Sequence, residues 1–188
     1  MYKKNFFIVF EGIEGSGKSS HSLSLIKKLK SLKIPCVYLR EPGGSKNAEY
    51  IRSFLLRNEN FLQKIKPFYK KKIIICDRFE DSTLAYQHYG LGVKWHFINF
   101  INKEIMGTIK PDYTFLMFLN VNKLKSRISN RKTINRYDKF KKSFYKRVQN
   151  GFLKICNKNK SKYMIINSSN KYEINQDIIF NRVKKLLK

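Results

Sequence analysis

The sequence predicts an α/β fold: a five-stranded parallel sheet flanked by helices in three layers. Three observations carry this. Short apolar runs such as "FFIVF" and "KIIIC" alternate with longer segments of helical period. Runs that are apolar at every position suit strands covered on both faces. Strand–helix alternation implies βαβ units, whose right-handed crossovers put helices on either side of the sheet. In such sheets ligands bind beyond the carboxyl ends of the strands, so chemistry is expected just after each strand.

The elements follow in order. "FFIVFEG" is the first strand, closed by Gly12. "SSHSLSLIKKLKSLK" reads as a helix with Leu23, Ile26, Leu29 and Leu32 on one stripe. "PCVYLRE" is strand two, "NAEYIRSFLLRNENFLQKI" a helix, and "KIIICDR" strand three. "VKWHFINFINKEIMGTI" is a helix and "YTFLMFLNV" strand four. A long helix, "DKFKKSFYKRVQNGFLKIC", a fifth strand, "KYMIIN", and a closing helix, "NQDIIFNRVKKLL", complete the chain. At 188 residues a single domain over 1–188 is expected.

Composition narrows the function classes. No apolar run reaches the roughly 18–20 residues of a membrane span, and "NFFIVF" is too short for a signal-peptide apolar region. The expectation is a cytoplasmic protein. Cys36, Cys76 and Cys156 lack metal spacing and read as buried free thiols. The formal charge is +27, which normally suggests nucleic acid or an anionic membrane. Here lysine far exceeds arginine, Asn and Ile are abundant, and the lysines scatter through "IKKLKSLK", "KNKSK" and "RVKKLLK". That is the profile of AT-rich codon drift over solvated faces, and nucleic acid is not the expected partner.

The stretch Gly12-Ile13-Glu14-Gly15-Ser16-Gly17-Lys18-Ser19-Ser20 fits G-x-x-x-x-G-K-[ST] between a buried strand and an amphipathic helix. Glycines let the loop wrap so that successive N–H groups face a phosphate, and the helix N-terminus adds positive potential. Lys18 would reach the β- and γ-phosphates, and the Ser19 hydroxyl would ligate Mg²⁺. ATP is the expected donor, on a P-loop NTPase fold. Asp77, at the end of a strand, is placed to hold Mg²⁺ directly or through water; the alternative is a helix N-cap. Arg78 could grip a phosphate with two parallel N–H bonds, or pair on the surface with Glu80 or Asp81. Arg40 sits similarly after strand two. Thr83, Tyr86 and Gln87 stand at i, i+3 and i+4 and so share one helical face.

Further stretches are more specific. "REPGGS…AEYIRSFLL", "IIICDRFEDSTLAYQ", "PDYTFLMFLNV…LKSR" and "NRYDKF…FYKRV" stand in order around the glycine loop. With these the chain resembles the thymidylate kinases of bacterial type over nearly its whole length. The resemblance implies transfer of the ATP γ-phosphoryl group to dTMP, giving dTDP in dTTP synthesis, and a homodimer packed through helices of the sheet's outer face. It implies that Arg78 binds the acceptor phosphate and that Glu14 contacts metal or sugar. The helix with Thr83 (or Ser82 in its stead), Tyr86 and Gln87 would contact thymidine, with Arg40 nearby. A lid at about 127–138, carrying Arg127, Arg131 and Arg136, would supply the catalytic arginine that "GIEGSGK" lacks.

Two features depart from the family. Asn135 stands where an Asp usually precedes the second lid arginine. Between "IRSFLL" and "IKPFYK" the family carries an additional stretch on the order of one helix long, ending in an aromatic that stacks on thymine and an arginine that binds the dTMP phosphate. Either one shortened helix does both jobs through Phe54 and Arg57, or base selectivity is looser. The alternatives are a pyrimidine nucleoside monophosphate kinase of relaxed specificity, or a P-loop protein that binds nucleotide or nucleic acid without turnover.

Overall fold

A computed structural model describes residues 5–40, 65, 67–129 and 140–188. The helix expected over 47–65 lies outside them except for its last residue. In chain order the described elements are β1 (Phe6–Glu11), α1 (Lys18–Ser31), β2 (Cys36–Arg40) and β3 (Ile73–Asp77). Then come α2 (Glu80–Thr83), which runs into a π-helix (Leu84–Gly90), α3 (Trp95–Met106) and β4 (Tyr113–Phe118). A 3₁₀ turn (Val121–Lys123), α4 (Leu124–Ser129), α5 (Lys142–Lys158), β5 (Tyr163–Asn167) and α6 (Tyr172–Leu187) follow. The strands form one five-stranded parallel sheet, as expected, and their order is β2-β3-β1-β4-β5.

The apolar runs are uniform because side chains of a strand alternate between two covered faces. From β1, Ile8 and Phe10 pack with Leu25, Leu29, Ile179 and Val183 beneath α1 and α6. Phe7 and Val9 point the other way, onto Phe79, Met106 and Ile109. A third cluster joins Ile13, Tyr86 and Leu116 to Phe144, Tyr145, Val148 and Phe152 of α5. The register sets Phe10 and Arg40 on either side of Asp77, so three strand ends meet there. Among the described residues no helix is long and apolar enough to cross a membrane. Cys76 and Cys156 are buried thiols, while Cys36 is only partly covered.

Three expectations are corrected. In α1 the buried positions are Lys18, His21, Ser22, Leu25, Ile26 and Leu29, whereas Leu23 and the C-cap residue Leu32 are exposed. Residues at successive steps of three drift around a helix of 3.6 residues per turn, so the assumed stripe winds off the core. Strand four stops at Phe118, because Asn120 caps a 3₁₀ turn by accepting the Asn122 N–H at 2.9 Å. The segment carrying Tyr86 and Gln87 is a seven-residue π-helix, a rare widening often found at functional sites. It is clamped against α5 through two glycines. A Cβ on Gly90 would stand 2.6 Å from the Phe144 ring, and one on Gly151 would stand 2.6 Å from the Tyr89 ring.

Candidate active site

The glycine loop leaves β1 and enters α1. Gly12 has φ +138°, and a Cβ there would lie 2.4 Å from the Met117 carbonyl oxygen of β4, so only glycine fits. From the end of β5, Ser168 steadies the loop by donating its hydroxyl to the Ser16 carbonyl at 2.8 Å. Lys18 is buried and lies across the loop. Its Nζ donates to the Ile13 carbonyl at 2.7 Å and to Ser16 Oγ at 3.4 Å. Burial, then the Arg78 charge, lowers its pKa to about 7, against the pull of Glu14, Asp77 and Glu11. Within the free protein the ammonium therefore borrows the loop's own carbonyl while it awaits a stronger partner.

Ser19 donates its hydroxyl to Asp77 Oδ2, which also lies 3.5 Å from the Tyr38 hydroxyl and 3.7 Å from Arg40 Nε. The other carboxylate oxygen, Oδ1, is buried with no hydrogen-bond partner. A buried orphan oxygen beside a serine hydroxyl suits Mg²⁺, which takes one or two protein oxygens and completes its shell with phosphates and water. Among the described residues no cluster of three metal-ligating side chains occurs, so a dedicated all-protein cage is not what these residues offer. Asp77 is not the N-cap of α2. The N-cap residue is Phe79, and the Glu11 carboxylate accepts the free N–H groups at the helix start.

Arg78 is the most constrained residue of the site. Its φ is +76°, unusual outside glycine and characteristic of functional positions. Its Nη2 donates to Glu14 Oε1 at 2.7 Å, while its Nη1 donates to the Gly12 carbonyl at 3.2 Å and Ser82 Oγ at 3.1 Å. The guanidinium also lies 5.3 Å from the centre of the Tyr86 ring. Tyr86 donates its hydroxyl to Glu14 Oε2. Burial opposes the Glu14 charge, but Arg78 and then Lys18 outweigh it and hold the carboxyl below its usual range. The surface pairing of Arg78 does not occur: Glu80 binds Lys110, and Asp81 accepts the Tyr163 hydroxyl at 2.7 Å.

The structure thus brings together Gly12 through Ser19, Asp77, Arg78 and Tyr86, with Arg40 at the exposed rim. Ser20 continues α1, and its carbonyl accepts the Tyr172 hydroxyl at 3.1 Å. Thr83 and Tyr86 are buried and Gln87 is half-buried, and the helix widens from Leu84 onward, between Thr83 and the other two. Arg127 donates to the Ser168 carbonyl at 2.8 Å, beneath the phosphate loop. Phe54, Arg57, Arg131 and Arg136 lie outside the described residues.

Sequence reasoning missed Glu11, Tyr38 and Ser168. Glu11 Oε1 accepts the N–H groups of Phe79 at 2.8 Å and Ser82 at 3.2 Å, and Oε2 accepts the Ser82 hydroxyl. A carboxylate closing an apolar strand was the available signal. Burial and then the neighbouring Asp81 push its carboxyl up to about 8, against the Ser82 hydroxyl, the Arg78 charge and the Phe79 N–H. Taken together, a cationic loop and a second, rigidly held cation stand at adjacent strand ends with a carboxylate–hydroxyl pair beside them. Such a site can bind two phosphate groups and neutralise charge moving between them.

Comparison with known proteins agrees. The Thymidylate kinase family model matches residues 10–68 and 57–179. Thymidylate kinase of Ehrlichia chaffeensis is 37% identical over 93% of this chain and 94% of its own. That of Onion yellows phytoplasma is 36% identical over 96% of this chain and 97% of its own, and that of Pelotomaculum thermopropionicum is 33% identical over 88% and 87%. The crystal structure of thymidylate kinase from Ehrlichia chaffeensis superposes with a TM-score of 0.69 at 31% identity, covering 98% of this chain and 100% of that one. Loop, sheet order and relatives converge, and the chain belongs to the thymidylate kinase family of P-loop nucleoside monophosphate kinases.

Proposed function

We propose that this protein transfers the γ-phosphoryl group of ATP to dTMP, giving dTDP and ADP in the synthesis of dTTP. The observation that carries the reading is the pairing of a buried Lys18, in the phosphate loop, with a partly buried, preorganised Arg78 at the next strand end. The acceptor is already an anion at neutral pH, so its phosphate oxygen attacks the γ-phosphorus without a base while the bond to the ADP oxygen breaks. What the protein must supply is in-line positioning and cationic charge. The site is built that way: cations at its centre, and its carboxylates engaged with them or with hydroxyls.

In this reading, Gly12 through Ser20 cradle the ATP phosphates, and Lys18 leaves the Ile13 carbonyl for them. Arg78 takes the acceptor phosphate, held in place by Glu14 and Tyr86. Arg40, Phe54, Arg57, Thr83, Tyr86 and Gln87 serve the acceptor nucleotide. Ser19 and Asp77 would hold Mg²⁺, which, when bound, screens the charge of the donor phosphates. A lid over about 127–138 brings Arg131 and Arg136 to the transferred group and excludes water. The working form is a cytoplasmic homodimer, for which the exposed Trp95, Phe97 and Phe100 of α3 offer an apolar face.

A coupled assay of ADP release with dTMP, dUMP, dGMP and CMP tests this. ADP release should depend on dTMP, with dUMP a poorer acceptor and dGMP and CMP inert. Absence of dTMP-dependent release, or preference for CMP or dGMP, would overturn the reading.

A further inference from the structure

We infer that Glu11 is a positioning residue for the acceptor site, acting on Arg78 through the Ser82 hydroxyl and the backbone of Phe79 and Ser82. The inference rests on the reading of Arg78 as the acceptor-phosphate ligand. Glu11 is the last residue of β1 and is almost wholly buried. It binds no neighbouring cation directly in the bonds described; all three of its hydrogen bonds go to the turn just beyond Arg78.

The direction of the relay is fixed by chemistry. A guanidinium has donors only, so at the 3.1 Å contact with Arg78 Nη1 the Ser82 oxygen must accept. Its own proton is then turned to Glu11 Oε2, which a carboxylate can receive. Glu11 thereby leaves a Ser82 lone pair facing Arg78.

The same carboxylate also holds the backbone. Arg78 sits at φ +76°, where a side-chain-bearing residue persists only if its surroundings over-determine it. Three contacts do so. The Arg78 N–H donates to the Phe10 carbonyl at 3.0 Å, the Cys76 thiol donates to the Arg78 carbonyl at 3.1 Å, and the next N–H, of Phe79, goes to Glu11. Release of the last contact frees the turn to relax toward negative φ, which swings the guanidinium away from Glu14 and the loop.

Glu11→Gln is the discriminating variant. Glutamine keeps the size and one acceptor, but its amide presents donors where the relay needs an acceptor, as a protonated acid would. Steady-state kinetics of Glu11→Gln, Ser82→Ala and the double variant should show the KM for dTMP raised about tenfold in each. The KM for ATP should rise by no more than about threefold, because the Glu11 hydrogen bonds go to Phe79 and Ser82 and reach the phosphate loop only through Arg78. The double variant should be no worse than the poorer single one, as members of one relay are not additive. Equal shifts in both KM values, no shift in either, or additive losses would each overturn the inference. Arg78→Lys is run alongside: if it leaves the dTMP KM unchanged, the acceptor reading itself fails and the inference with it. If it raises that KM while Glu11→Gln does not, only the inference falls.

Discussion

Lys18 meets its ligand from a buried, weakly held state. Burial, then the Arg78 charge, places its pKa near 7 in the free protein, where its ammonium donates to a carbonyl and a hydroxyl. Triphosphate binding would restore the charge, so the bound pKa lies above the free one. Between those two values, binding takes up a proton, and affinity falls as pH rises above about 7, by up to about tenfold per pH unit. At pH 8.5, titration calorimetry in buffers of different ionisation enthalpy should record close to one proton taken up per ATP. Lys18→Met should abolish that uptake and lower kcat by at least about 100-fold; an unchanged proton count would remove Lys18 from the phosphate site. Lys18, Ser19, Asp77 and Arg78 were legible in the sequence because each is fixed by local spacing at the end of an apolar run. Glu11 was not, because its partners Phe79 and Ser82 are 68 and 71 residues away and only the β1–β3 pairing brings them together.

At the scale of elements, the strands were readable and the helix faces less so. A strand covered on both sides has to be apolar throughout, and that pattern has few competitors. The inward stripe of α1 is narrower information: several leucines compete for it, and packing beneath α6 chose Leu25 over Leu23 and Leu32. The π-helix leaves no periodic trace, because it widens one turn without changing residue types. Its support lies in the crossing with α5, where Gly151 lets the Tyr89 ring approach. Gly151→Ala tests that crossing. Alanine would gain up to about 1 kcal/mol of helix propensity. Its methyl, however, would stand 2.6–2.7 Å from Tyr89 Cγ and Cβ, close to the main chain, where yielding means moving the π-helix. Overpacking of this kind costs about 1–3 kcal/mol. The net expectation is a loss of about 1 kcal/mol in urea unfolding at constant m-value, with a raised dTMP KM, because Tyr86 rides on the displaced element. A gain in stability would show that α5 gives way freely.

For the whole molecule, two surface properties oppose each other. Phe97 and Phe100 lie about one turn apart on α3 and are 52% and 60% exposed, and Trp95 adds a third ring at the helix start. Such a face favours a second copy of the chain. The net charge of +27 disfavours one, since two like-charged bodies repel over roughly a Debye length. Salt screens that repulsion while leaving apolar burial intact. The proposed homodimer should therefore tighten as salt rises from about 50 to 500 mM, and Phe100→Asp should yield monomer throughout that range. A complex with nucleic acid would behave in the opposite sense, because it gains from counterion release and weakens steeply with salt. Sedimentation velocity of the protein alone, and of the protein with a short duplex, separates the two. A dimer that loosens with added salt, or a Phe100→Asp chain that still dimerises, would place the interface elsewhere. A duplex complex that survives 500 mM salt would mean that the lysines are arranged for a partner and are not the residue of codon drift.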